Sequence, residues 1–124
     1  MANLETTLKE AMTIDGAIGV ALVDYGSGMA LGTLGDSAEL DLNVAAAGNT
    51  DLVRAKMRTM EMLNLHDNEI EDILISLTGQ YHLIRPLATK NGRGLFLYLA
   101  LNRSRSNLAM ARHHLKRIEA GLEI

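Results

Sequence analysis

The chain has no cysteine and no tryptophan, and among its 124 residues stand one phenylalanine, three tyrosines and one proline. Without cysteine there is no disulfide scaffold, no thiol nucleophile and no thiolate metal site. Four aromatic side chains leave no platform for stacked bases, and a net charge of −3 with pI near 5.7 argues against general nucleic-acid binding. Long apolar runs are missing as well. The longest, Ala17–Val23 and Gly94–Leu101, fall far short of the roughly 18 residues of a membrane span, so no integral membrane segment is expected. The first ten residues have no basic start and no apolar stretch, so no secretion signal is expected and the expected location is cytoplasmic.

What is present is a hydrophobic content of 48% in a length that suits a single domain spanning residues 1–124. Such a chain buries roughly two thirds of the surface its unfolded form exposes, enough to fold without metal or disulfide. Leu4, Leu8, Ala11 and Met12 share one face behind an Asn3 cap, which predicts a short amphipathic helix over Asn3–Thr13, ended by Asp15-Gly16. Ala17–Asp24 is apolar on both alternating faces, the pattern of a strand covered on both sides. After the turn Tyr25–Gly28, Met29–Leu34 is a second strand, with small residues where something packs closely.

From Asp41 to Leu63 the apolar residues Leu42, Ala45, Ala46, Val53, Met57, Met60 and Leu63 recur at helical spacing, which predicts a helix of about six turns. A polar bend, Asn64–Asn68, precedes strand-like segments at Ile70–Leu77, Tyr81–Leu87 and Leu95–Leu101, separated by turns at Thr78–Gln80 and Thr89–Gly94. Pro86 belongs near a strand end, because it cannot donate to a ladder. Leu95–Leu101 has no polar alternation and belongs at the sheet centre. Ser104–Leu122 carries a Ser cap and the stripe Leu108, Ala111, Leu115, Ile118 and Leu122, which predicts a helix laid on the sheet with a basic outer face. The order helix-strand-strand-helix-strand-strand-strand-helix predicts an α+β sandwich on one largely antiparallel sheet.

No catalytic constellation emerges. Gly26-Ser-Gly28 and Gly92-Arg-Gly94 are hairpin-turn chemistry and do not open a helix as phosphate loops do. His66, His82, His113 and His114 include no pair three or four residues apart, so no metal site is expected and the histidines are read as surface or strand-face residues. No serine occupies the Gly-x-Ser-x-Gly elbow of hydrolases. No catalytic, metal-ligating or cofactor-binding residue is therefore assigned, no cofactor is expected, and the chain is not expected to be an enzyme.

The middle helix carries a second stripe. Val44, Gly48, Ala55, Thr59 and Met62 lie about half a turn from its core face, with small residues in the middle and methionine at the end. Small residues let another helix approach closely, and an isologous homodimer is the simplest such contact. Asp51, Arg54, Arg58 and Glu61 flank the stripe and could fix its register or meet a further partner. Charge is also segregated. Five acids and no base lie between Glu61 and Asp72, and five bases and no acid between Arg103 and Arg117, as solvated faces or complementary patches.

These elements together resemble the Roadblock family of the dynein light-chain type. Ile14-Asp15-Gly16-Ala17-Ile18-Gly19-Val20-Ala21-Leu22-Val23-Asp24 is similar to the family's opening turn and first strand, and Gly28-Met29-Ala30-Leu31-Gly32 to its second. Gly94–Leu101 followed by an Asn107-Leu108-Ala109 helix resembles the bacterial branch, and the resemblance covers nearly the whole chain. It implies a five-stranded antiparallel sheet with helices on both faces, a profilin- or longin-like sandwich. It further implies dimers in which the middle helices pack and the third strands pair, here through Ile73, Ile75 and Leu77. Family members serve as platforms for small Ras-like GTPases or larger assemblies, and some bacterial relatives accelerate GTP hydrolysis. One group resembles components encoded beside a sensor-kinase-like protein and a small GTPase.

The expected function is a noncatalytic homodimeric regulator or scaffold for a small Ras-like GTPase, possible partner contacts being Asp51, Arg54, Arg58 and Glu61. If hydrolysis is stimulated, the partner's own residues are expected to do the chemistry; Arg93 and Arg54 are the candidates for an arginine finger, a role not expected of either. The alternatives are a small-ligand sensory module and a nucleotide-insensitive adaptor in a multiprotein assembly.

Overall fold

A computed structural model describes residues 3–35, 38–89 and 92–123. Helix α1 spans Leu4–Ala11, and the Asn3 side chain accepts a hydrogen bond from the Thr6 amide at 2.9 Å, a cap worth about 1 kcal/mol. It ends short of the expected Thr13, since the amides of Thr13 and Ile14 turn back to the Glu10 and Ala11 carbonyls and Thr13 Oγ1 donates to Glu10 O at 2.6 Å. Gly16 at φ +83° then turns the chain into strand β1, Ala17–Asp24.

Strand β2, Met29–Gly35, returns antiparallel to β1, with a bulge where Leu31 is passed over between the pairs Leu22↔Gly32 and Val23↔Ala30. The small residues of this hairpin do admit close neighbours. A Cβ on Gly32 would lie 3.0 Å from a Leu8 methyl and 3.1 Å from a Leu4 methyl of α1, and one on Gly19 would lie 3.1 Å from a methyl of Leu42.

Helix α2, Leu42–Met62, is capped by Asp41, whose carboxylate accepts from the Asn43 and Val44 amides. Strands β3 (Ile73–Ser76), β4 (Gln80–Pro86) and β5 (Leu95–Asn102) complete the sheet, whose order is β2-β1-β5-β4-β3 with every pairing antiparallel. The apolar strand β5 is central, and Pro86 ends β4, each as its composition requires.

Two expected boundaries need correction. The third strand is shorter than Ile70–Leu77: Glu71 and Asp72 precede it, the Asp72 carboxylate held by Arg112 of the last helix, and Leu77 lies beyond the strand, its amide donating to Gln80 O. The last helix, α3, spans Leu108–Gly121 and is capped by Asn107, not by Ser104. Ser104 lies in a 3-10 turn, Arg103–Arg105, capped by Asn102, and the extended backbone of Ser106 separates that turn from α3. Lys90 and Asn91 of the expected Thr89–Gly94 turn lie outside the described residues.

The sheet is covered on both faces. Leu8, Ala11, Ala111, Leu115 and Ile118 of α1 and α3 pack on Val20, Leu22, Leu83, Leu97 and Leu99. On the opposite face Leu42, Ala46 and Val53 of α2 pack with Ile18, Ala21, Val23, Phe96 and Tyr98. The fold is thus the expected five-stranded α+β sandwich.

Candidate interaction surface

Helix α2 buries a narrow stripe. Leu42, Ala46, Thr50 and Val53 are buried, and Thr50 Oγ1 is satisfied within the helix by the Ala46 carbonyl at 2.7 Å. Met57 and Met60 are half-buried; Leu63, expected on the core face, is the helix's C-cap and is exposed. The rest of the helix is turned to solvent. Val44 is 67% exposed, Met62 70% and Leu52 37%, while Gly48 is exposed and Ala55 and Thr59 are half-buried. Leu52 was not singled out from the sequence, although it follows Gly48 by four residues and precedes Ala55 by three, which puts it on the same row. The flanking residues Asp51, Arg54, Arg58 and Glu61 are all exposed, and none enters an ion pair among the described residues.

Gly48 is the informative member. A Cβ placed on it would have no neighbour within 4 Å among the described residues, so nothing in them requires glycine there. Glycine within a helix costs about 1 kcal/mol relative to alanine. That cost, beside exposed valine, leucine and methionine, suits a helix whose middle is approached by another backbone.

Among the described residues the β3 edge of the sheet pairs only with β4 and leaves its other side open. Ile73 and Ile75 are half-buried on the same sheet face as α2, and Leu77 is 42% exposed past the strand end. Helix α2 packs chiefly on β1 and β2, at the opposite side of the sheet from β3. The expected interface residues thus fall into two groups, one along α2 and one at the β3 edge, with strands β4 and β5 between them on this face.

On that intervening sheet lies His82 of β4, opposite Ile75 in the ladder. Its Nε2–H donates to Gln80 Oε1 at 2.7 Å, and its Nδ1 accepts from the Tyr98 hydroxyl at 3.1 Å, the tautomer that a carbonyl acceptor on Gln80 requires. The two rings meet edge to face, 5.4 Å between centroids. Burial lowers the His82 pKa below its usual 6.5 and pushes the Tyr98 phenol up to about 12, because each charged form would lose water here. His82 is therefore a strand-face residue, one of the two settings in which the four histidines were read together.

Neither candidate arginine sits among reactive groups. Arg54 is exposed on α2, and exposed Arg93 borders a cleft of about 230 Å³ lined by Tyr25, Met57, Met60, Ile70 and Leu87. Among the described residues no group of three or more His, Asp or Glu could hold a metal ion, and no helix is long and apolar enough to cross a membrane. The surface offers apolar contact area with charged flanks.

Comparison with known proteins yields likeness of fold at low identity. No family model matches the chain, and no curated protein matches it. Among solved structures, MglB of Myxococcus xanthus superposes with a TM-score of 0.73 at 17% identity, over 92% of this chain and 83% of that one. A Roadblock/LC7 domain from Streptomyces avermitilis gives 0.75 at 12% identity, over 96% and 93%. A further structure, described as MglB with a tetrameric arrangement, gives 0.73 at 16% identity, over 91% and 79%. The chain has the Roadblock/LC7 fold.

Proposed function

We propose that this chain is a noncatalytic homodimeric regulator or scaffold that binds a small Ras-like GTPase in a signalling complex. The observation that carries the reading is the outer face of α2, where exposed Val44, Leu52 and Met62 surround a glycine that no contact within the chain explains. A second copy of α2 would cover Val44, Gly48, Leu52, Ala55, Thr59 and Met62, and the open β3 edge would pair through Ile73 and Ile75, with Leu77 at its margin. The fold shared with MglB and with a Roadblock/LC7 domain supports the same reading, as does the tetrameric arrangement of one MglB structure.

The flanking charges Asp51, Arg54, Arg58 and Glu61 remain free for the GTPase, and a sensor-kinase-like protein is a further partner. The chain orders the GTPase's switch segments and leaves the chemistry to the partner's own residues. The decisive experiment is GTP turnover by the Ras-like GTPase encoded nearest to this chain, with and without it, together with light scattering of the chain alone. A dimer at micromolar concentration that binds the GTPase and changes its turnover is the expected result. A monomer overturns the homodimer, and a dimer without binding or effect overturns the GTPase partner.

A further inference from the structure

His82 is a half-buried titratable side chain on the sheet face between α2 and β3, the two parts of the homodimer face. We propose that His82 makes self-association depend on pH: the second copy covers the neutral imidazole, and protonation of the imidazole drives the copies apart. This inference rests on the homodimer reading above.

The geometry is selective for the neutral ring. Both ring nitrogens are already occupied, Nε2–H toward Gln80 Oε1 and Nδ1 by the Tyr98 hydroxyl. A second proton on Nδ1 would turn Tyr98 from donor to acceptor, and its hydroxyl hydrogen would then need another partner around a fully buried residue. The surroundings offer no compensating charge. From β5 the ring faces the Tyr98 phenol and, across the ladder, Ala100; from β3 it faces Ile75; on its own strand it meets Gln80. Helix α2 packs chiefly on β1 and β2, and no carboxylate or cation bonds to the ring among the described residues. In the single chain an imidazolium keeps part of its access to water, since His82 is only half-buried. A second copy on this face would remove that water and leave the charge unpaired.

Each of two copies must then shed one proton to associate, so the dissociation constant rises by up to about 100-fold for each pH unit below the free chain's imidazole pKa. Dilution series followed by light scattering near pH 8 and below that pKa read this directly. The expected result is a dimer near pH 8 that loosens at least tenfold once the pH falls below the free chain's imidazole pKa, with the response reduced to less than half in His82→Gln. A dimer equally tight above and below that pKa, or an unchanged response in His82→Gln, overturns the role of His82 and leaves the homodimer standing; a monomer near pH 8 overturns the homodimer and this inference with it. Should His82→Gln not fold, NMR titration of the native chain serves: the His82 pKa is expected to be lower at concentrations where the chain is dimeric than where it is monomeric, and equal values overturn the proposal.

Discussion

Arg112 on α3 grips the Asp72 carboxylate with two hydrogen bonds, Nε to Oδ2 at 2.9 Å and a terminal nitrogen to Oδ1 at 3.0 Å. The acidic stretch that ends at Asp72 and the basic stretch that begins at Arg103 therefore meet within one molecule, and at this point the separated charges are an internal tether. The tether fixes the entry to β3, the shortest strand and an edge of the sheet. Forked pairing of this kind is the stronger class of ion pair, though Arg112 is partly open to water, which screens it. Arg112→Ala is expected to lower unfolding stability by about 1 kcal/mol. Its distinguishing effect is faster amide exchange in Ile73–Ser76 with little change in β1 and β5, read by hydrogen-exchange mass spectrometry.

Glu119 gives a larger effect, because it is 5% exposed and both its oxygens are used. Oε1 accepts from Arg85 Nε and Oε2 from the Ala88 amide, each at 2.7 Å, joining the end of α3 to the end of β4 and the residues after it. Glu119→Ala would strand a largely buried guanidinium and a backbone amide together, a loss of about 3 kcal/mol by denaturant titration. Glu119→Gln keeps an acceptor and is expected to lose less. If the two substitutions cost the same, the neutral acceptor rescues nothing and the charge of Glu119 carries the interaction.

Periodicity resolved the elements whose apolar pattern is long. Leu95–Leu101 had to be central because it has no polar face, and Leu42–Met62 had to be a helix because its buried residues recur at three and four. What it missed were outcomes of competition between side chains for backbone groups. At the start of α3 Ser104, Ser106 and Asn107 are all able caps, and only the 3-10 turn held by Asn102 decides for Asn107. The length of β3 was hidden for a similar reason, since the partner of Asp72, Arg112, lies forty residues later and nothing local shows that pairing. Of the candidate surface, the sequence marked five residues of the α2 stripe and passed over the exposed Leu52. His82 carried no local signal, because its partner Tyr98 comes from a different strand.

The phenol of Tyr98 gives an alkaline signature. Its folded pKa is raised from 10.0 to about 12 by burial, so the unfolded chain releases a proton that the folded chain retains. The sign follows: the Tyr98 contribution is constant below pH 10 and is lost as pH rises from 10 toward about 12. Absorbance at the tyrosinate band should show one tyrosine ionising near pH 12 in the folded protein, and Tyr98→Phe should remove that step. A titration in which Tyr98→Phe removes a step near pH 10 would mean that the ring is open to water.

Gly48 separates the demands of the fold from those of association. In the single chain a Cβ at this position meets nothing within 4 Å, so Gly48→Ala should raise the stability of the folded monomer by about 0.5–1 kcal/mol through helix propensity alone. Gly48→Leu should likewise leave the fold intact, since its side chain projects from an exposed position. In a close helix-on-helix contact the same leucine would hold the two backbones apart, and overpacking of that kind costs roughly 1–3 kcal/mol at each site. Two copies related by a two-fold axis carry the change twice, so the dissociation constant should rise by about 30-fold or more. Ala55→Glu, half-buried on the same row, tests the other end of the contact by placing a charge where apolar packing is expected. Thermal unfolding at low concentration reports on the fold and light scattering on association. Unchanged dimerisation in both Gly48→Leu and Ala55→Glu would remove α2 from the interface, and the β3 edge would then have to account for association alone.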